Sequence, residues 1–284
     1  MHCYLCHSVN FFERPGSVRD NSDLNILECQ NCGLVQLSSQ EHLKAGHYEN
    51  SRMHGPDPEP MEVWERNTAE DDQRRFEMLQ AFLPNKRVLD FGCGNGGFLS
   101  RVSDLAQKAT GVELEKRVQE YWQGRIEIYP SLSNLEGGGT YDLITSFHVI
   151  EHLADPRQIL QDFKKFLSEN GRIVIEVPSS LDALLTLYES EPFQHFTYWS
   201  QHLYLFNAKT LETLVQQSGL KVISIQQYQR YPLSNHLYWL SKGKPGGHKF
   251  WSFLDSPLLQ QAYADTLARI GQCDTLIVHL ELCD

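Results

Sequence analysis

The chain has 284 residues, 41% of them apolar, and a formal charge of −11 at pH 7. That is enough chain and enough apolar surface for one α/β domain with a small appendage, and it excludes a disordered polypeptide. The acidic balance disfavours nucleic acid as a partner. No apolar run approaches the roughly twenty residues of a membrane span, and Met1-His2-Cys3-Tyr4 opens without the features of a signal peptide, so a cytoplasmic location is expected.

Two Cys-x-x-Cys pairs come first, Cys3/Cys6 and Cys29/Cys32. Each turn aims two thiolates at one centre, and two turns make a closed tetrahedral site, so a structural zinc is expected on these four residues. Seven cysteines with no secretion signal indicate metal and free thiols rather than disulfides. His2 and His7 flank the first pair as bystanders. Residues 29–37 read as a knuckle and a short strand. Pro56-Asp57-Pro58-Glu59-Pro60 reads as extended linker, and a helix is expected over 61–82, stopped by Pro84. The expected organisation is a zinc ribbon at 1–50, a linker and leading helix at 51–83, and the main domain at 84–284.

Strands and helices then alternate. Strands are expected at 87–91, 110–114, 126–129, 141–147, 172–177 and 220–227, with a last one at 275–282. Helices are expected at 97–105, from the Asp155-Pro156 start to the Asn170-Gly171 stop, from the Asn207 cap to Gly219, and at 257–270. The alternation predicts an α/β fold with a doubly wound, mostly parallel sheet. Residues 228–273 form an insertion before the last strand, with Tyr228, Tyr231, Tyr238 and Trp239 as its apolar seam.

The first strand runs into a glycine loop, Gly92, Gly94 and Gly96. Such a loop lets backbone pass close under a ligand, and the next helix aims its N-terminus at it. Gly92-x-Gly94-x-x-Gly97 also fits a dinucleotide fingerprint, with Glu113 about twenty residues on. Asp90 before the first glycine, and the later segment 142–152 with its His148, Glu151 and His152, favour S-adenosylmethionine (SAM) instead.

Residues 84–227 resemble a class I SAM-dependent methyltransferase: VLDFGCGNGGF, GVE, YDLITSFHVIEHLADP, LSENGRIVIEVP and FNAKTLETLVQQSGL stand in family order. The resemblance implies SAM as cofactor, held by Asp90, Gly92, Gly94, Gly96, Glu113 and Leu114, with Phe147 and His148 beside it. The ribbon, through CQNCGLVQL and HYENS, is similar to the zinc-binding N-terminal domain of sugar C-methyltransferases, which use histidines at the positions of His152 and His202 near the sugar. Ser200 and Gln201 stand where that family has His and Glu. The segment 148–152 and His202 also resemble the metal-holding cluster of terminal-RNA 2′-O-methyltransferases and ubiquinone-pathway O-methyltransferases, with His148 in place of their first Glu.

A sugar hydroxyl is a weak nucleophile and needs a base of near-neutral pKa, or a metal that acidifies it. His152 and His202 are the candidate catalytic residues, with Glu151 beside them. His195 reads as a pocket wall. The expected function is methyl transfer from SAM to a hydroxyl of a sugar or glycan precursor; the insertion segment NHLYWLSKGKPGGHKFW is similar to methyltransferases of bacterial polysaccharide pathways, which implies polysaccharide biosynthesis. The alternatives are O-methylation of an aromatic or other small metabolite or of a terminal RNA ribose, with a second divalent metal assisting; sugar C-methylation; and a zinc-stabilised SAM-binding module without turnover. A homo-oligomer is an open reading.

Overall fold

A computed structural model describes residues 1–43, 58–135 and 139–283. The expectations for HYENS, for Pro56-Asp57 and for the boundary at residue 50 lie outside these described residues. In chain order the ribbon gives strands β1 (Phe11–Glu13), β2 (Ile26–Cys29) and β3 (Val35–Leu37). Then come α1 (Met61–Leu79), β4 (Arg87–Phe91), α2 (Gly97–Val102), β5 (Lys108–Val112), α3 (Lys116–Trp122), β6 (Glu127–Tyr129) and β7 (Tyr141–Phe147). They are followed by α4 (Pro156–Phe166), β8 (Leu167–Pro178), α5 (Ala183–Thr186), α6 (Glu191–Thr197), β9 (Tyr204–Leu205), α7 (Ala208–Gln217) and β10 (Leu220–Tyr228). The insertion carries α8 (Leu233–Lys242), α9 (Gly247–Phe250) and α10 (Pro257–Ile270), and β11 (Thr275–Leu282) ends the chain's regular structure.

A seven-stranded sheet has the order β10-β11-β8-β7-β4-β5-β6. Strand β4 runs parallel to both β5 and β7, and β5 parallel to β6. Val88 and Leu89 in β4 are fully buried, as a central strand covered on both faces requires. The expected doubly wound α/β fold is therefore present. A second, four-stranded sheet has the order β1-β2-β3-β9.

The chain divides into two compact units. One comprises Met1–Gln40, Ile150–Arg157 and Glu176–His279. The other comprises Glu41–Val149, Gln158–Ile175 and Leu280–Asp284. The ribbon thus shares a unit with the segments that carry His152 and His202.

Several expected boundaries move. The helix expected to close on Asn170-Gly171 stops at Phe166, and Leu167 already belongs to β8. Gly171 does not adopt the left-handed backbone of a helix cap. A Cβ there would lie 2.7 Å from the Leu167 side chain, so that glycine answers a close approach. The strand expected at 110–114 spans Lys108–Val112. Glu113 and Leu114 lie in the turn beyond it, where the Glu113 carboxylate accepts from the amides of Leu114 and Glu115 and ends the ladder. The leading helix stops at Leu79 rather than 82, and α2 at Val102 rather than 105. In the insertion Tyr238 and Trp239 are buried as expected, but Tyr231 is exposed. The Asn207 cap is present as a full capping box with Thr210.

Gly92 fixes the turn after β4. Its φ is 72°, and an added Cβ would sit 2.3 Å from a Val149 methyl. Gly92→Ala must both strain the backbone and displace Val149. It should cost about 2–4 kcal/mol of stability, read as a lowered chemical-denaturation midpoint.

Candidate active site

The glycine loop gathers two acids, Asp90, which is buried, and Glu113, which is half-buried. Gly92, Gly94 and Gly96 all have left-handed backbone, at φ 72°, 53° and 81°. Beyond Gly96 a Cβ would collide with the Trp122 indole, whose Nε1 donates to the Asn95 carbonyl at 2.7 Å. Asp90, at the end of β4, is buried and accepts a 2.7 Å hydrogen bond from Thr145 Oγ1 on β7. Burial raises its pKa to about 7 against the opposing effect of that hydrogen bond.

Glu113 reaches back across the loop, and its carboxylate accepts the Gly94 amide at 3.0 Å and the Leu114 amide at 2.7 Å. Burial raises its pKa as well. Leu114 is partly exposed beside it. At the end of β7, Phe147 is buried edge-on against Phe98, with ring centres 5.1 Å apart, and His148 takes a left-handed backbone at φ 56°. The structure therefore brings Asp90, the three glycines, Glu113 and Leu114 around one turn.

Helix α1 adds residues that the sequence reading did not assign to the site. Trp64, Thr68, Asp72 and Arg75 follow helical spacing along one face. A Cβ on Gly94 would lie 3.5 Å from the Trp64 ring. Thr68 Oγ1 donates to Asp72 at 2.8 Å and accepts from Asn95 of the loop at 2.8 Å. The Arg75 guanidinium lies 4.6 Å from the Phe147 ring centre. Asp72 is buried on this stripe, although in sequence a polar stripe of this kind reads as solvent-facing surface.

Donor and acceptor chemistry at this loop fits SAM. Val149 and Trp122 occupy the places a side chain would take at Gly92 and Gly96, so the loop stays bare backbone, and the carboxylates of Asp90 and Glu113 suit partners that donate, an ammonium and hydroxyls. Glu113 already takes three backbone donors, which leaves room for about one more strong hydrogen bond.

The other unit holds a second cluster. Glu151 and His152 lie in a 3₁₀ turn (Ile150–His152) and both are buried. The Leu203 amide donates to the Glu151 carbonyl at 2.9 Å. His152 Nδ1 lies 2.8 Å from the Gln201 carbonyl, which only accepts, so Nδ1 carries a proton and, in the neutral ring, Nε2 has the lone pair. That Nε2 is 3.9 Å from a Glu151 oxygen. The His152 and His202 ring centres are 4.9 Å apart, and ligand atoms of Glu151, His152 and His202 fall within 4.8 Å of one another. The three residues paired by sequence are thus together. His195 is not a wall of this cluster: it is exposed and bonds Ser17 Oγ at 2.5 Å.

Trp199 packs edge-on to both histidines, and the Arg19 guanidinium covers it at 4.6 Å. Arg19 also donates to the Phe196 carbonyl at 3.0 Å. Its neighbour Asp20 accepts from the Ser200 amide at 2.9 Å and the Ser200 hydroxyl at 2.7 Å. Strand β3 pairs with β9, Val35 opposite Leu205. Ribbon residues therefore clamp the turn that carries His202 from both ends.

The four ribbon cysteines converge. Cys3 and Cys32 sulfurs are 3.4 Å apart and Cys6 and Cys29 sulfurs 3.5 Å. A disulfide needs about 2.05 Å, whereas thiolates around a tetrahedral zinc stand roughly 3.8 Å apart. His7 and Gly33, each just after the second cysteine of a pair, take left-handed backbone at φ 58° and 81°, which closes both knuckles. The residues fit a closed, structural zinc site.

The family described as Methyltransferase domain matches residues 64–225, more than half of the chain. A mitochondrial ubiquinone biosynthesis O-methyltransferase of Schizosaccharomyces pombe is 30% identical over 115 residues, covering 36% of this chain and 42% of that protein. A tRNA U34 carboxymethyltransferase of Campylobacter hominis is 32% identical over 114 residues, covering 36% and 40%. The chain spans less than half the length of these relatives. Among solved structures, a SAM-dependent methyltransferase from Archaeoglobus fulgidus superposes with a TM-score of 0.50 at 17% identity over 78% of this chain and 94% of that one. A Haloferax volcanii methyltransferase complex with the activator Trm112 reaches 0.52 at 13% identity, over 78% and 95%. At such identities the superpositions speak for the fold, which is that of Rossmann-like methyltransferases. The family match runs from the tryptophan of α1 through the glycine loop to β10, and the chain belongs to this methyltransferase family, whose methyl donor is SAM.

Proposed function

We propose that the chain methylates a hydroxyl of a sugar or glycan precursor, with His152 and His202 managing the acceptor proton. The observation that carries this is the 2.8 Å contact of His152 Nδ1 with the Gln201 carbonyl. It commits Nδ1 as a donor and leaves Nε2 as the ring nitrogen that can take or give a proton in a buried site beside His202. SAM brings an already activated methyl group, so the protein's tasks are alignment and removal of one proton. Asp90 would hold the amino group and Glu113 a ribose hydroxyl. His202, less buried than His152, is the proposed general base, and His152 orients it and shares the proton. The O-methyltransferase name of the Schizosaccharomyces relative supports a hydroxyl acceptor, and the ribbon clamp on His202 supports the likeness to sugar-modifying enzymes.

A second reading rests on the convergence of Glu151, His152 and His202 ligand atoms. These would suit a divalent ion, which would acidify the acceptor hydroxyl. The two readings separate cleanly. Under the base mechanism His202→Gln keeps SAM affinity and lowers turnover about 10²–10⁴-fold, and a chelator leaves the rate unchanged over the time in which zinc stays bound. Under the metal mechanism a chelator stops turnover, added divalent ion restores it, and Glu151→Ala is as harmful as His202→Gln. Full activity in His202→Gln would remove that residue from the chemistry under both.

SAM affinity should depend on pH through Asp90. Its folded pKa near 7 lies above the unfolded value of about 3.9. The folded apo protein therefore holds a proton that the unfolded chain has lost, and its stability falls as pH rises from about 4 to about 7. An ammonium favours the ionised carboxylate, so SAM affinity should drop by up to about tenfold per unit as pH falls below about 7. Titration calorimetry in buffers of different ionisation heat should show proton release on binding near neutral pH. Asp90→Asn should bind more weakly and without that release.

One zinc per chain is proposed on Cys3, Cys6, Cys29 and Cys32, measurable by elemental analysis of protein purified without added metal. Removing it should release the clamp on His202 while sparing the SAM loop. Asp20→Ala, which leaves the metal in place but removes both bonds to Ser200, should lower kcat about tenfold or more with SAM affinity unchanged. An Asp20→Ala protein as active as wild type would show that the clamp does not position the base.

A further inference from the structure

The insertion carries a surface that methyl transfer does not use. Between Trp239 and Ala264 the sequence has one acidic residue, Asp255, in a protein of net charge −11. Asp255 is engaged, accepting from the Ser234 hydroxyl at 2.6 Å. Over the same stretch stand Lys242, Lys244 and Lys249, all exposed, and half-buried His248. Interleaved with them are apolar side chains left in solvent: Phe250 at 67%, Phe253 at 78% and Leu258 at 82% exposure, with Leu240 and Leu254 also exposed.

These residues share one scaffold. Helix α8 packs against both α9 and the 3₁₀ turn Ser252–Leu254. The Phe250 ring stacks on Tyr238 of α8 at 5.7 Å, and Trp251 meets the same tyrosine edge-on at 5.1 Å. The turn through Gly243 and Gly246 is held in left-handed backbone at φ 62° and 110°. The aromatic tips are therefore presented from a packed base, with Lys249 next to Phe250 in the chain, Lys242 ending α8 and Lys244 in the turn after it.

We propose that this face of the insertion docks the enzyme on an anionic lipid surface. Basic residues interleaved with exposed aromatics suit the bilayer interface, where rings enter the headgroup boundary and ammonium groups meet lipid phosphates. The charge contrast selects the partner. A negatively charged protein is repelled by an anionic bilayer except where a local cationic patch faces it. Among the described residues no helix is long and apolar enough to cross a membrane, so the contact is peripheral. Each lysine near such a surface raises partitioning about fivefold.

The test is flotation of the full zinc-loaded chain with vesicles. It should float with mixed phosphatidylcholine–phosphatidylserine vesicles at low salt, and not with phosphatidylcholine alone. The triple variant Lys242→Glu/Lys244→Glu/Lys249→Glu should lose at least about a hundredfold in partitioning, and Phe250→Ser/Phe253→Ser should lose about tenfold or more. SAM affinity, which uses none of these residues, should be unchanged in both and reports that they fold. If the aromatic variant fails to fold, the lysine variant alone decides. Equal flotation with neutral vesicles, no flotation with anionic ones, or unchanged flotation of the lysine variant overturns the proposal. So does a dimer in solution that Phe253→Ser dissociates, which would give the face to a second copy of the chain, or retention on RNA with no lipid binding.

Discussion

Four cysteine sulfurs within a few ångströms of one another tie the first forty residues to the turn that carries His202. The link is short. Cys29 ends β2, β2 pairs with β3, and β3 pairs with β9, which begins two residues after His202. Asp20 and Arg19 fasten the other end of that turn. With a metal bound, this arrangement is a rigid sheet. Without it, four thiols must be held together by packing alone and are no longer cross-linked; burial raises the pKa of Cys3 to about 11, while against its desolvation hydrogen bonds lower that of Cys6 to about 6. An ion on these four cysteines would thereby influence His202, some distance away in sequence.

The glycine loop works by the opposite means. It contains no cross-link, only two carboxylates, Asp90 buried and Glu113 half-buried. Asp90 and Glu113 are costly to bury, and they are tolerated because Thr145 and a set of backbone amides satisfy part of their hydrogen-bonding capacity. The rest of that capacity is what a ligand can claim. The same desolvation that destabilises the empty site strengthens each bond a ligand forms there.

Much of this was legible in the sequence. The glycine loop, the acid before it and the acid closing the next strand occur at fixed local spacings, so local chain geometry suffices to bring them to one turn. The cysteine pairs are equally local. That the large sheet is mostly parallel and doubly wound follows from alternation of elements. What sequence could not give were contacts between residues far apart in the chain. Thr68, Asp72 and Arg75 sit in a helix whose polar stripe looks like solvent-facing surface until Asn95 and Phe147 are set against it. Arg19 and Asp20 have no motif at all; their meaning comes from Trp199 and Ser200. Gly171 was misread because an Asn-Gly pair signals a helix end, whereas here the close approach of Leu167 is what excludes a side chain.

The order of the small sheet also bears on how the molecule comes to fold. Asp20 and Ser200 are separated by 180 residues, and Gln40 and Tyr204 by 164. Loops of that length make strand pairing slow, because their closure entropy must be met before any contact forms. During synthesis the cysteine knuckles emerge first, but β9, the fourth strand of their sheet, arrives only after about ten to forty seconds at ordinary elongation rates. For that interval β3 is an unpaired edge of alternating apolar residues, the kind of edge that recruits other chains. Early capture of metal by the nascent knuckles would therefore matter for yield as well as for the finished site, since it orders the edge in the register that β9 must later find.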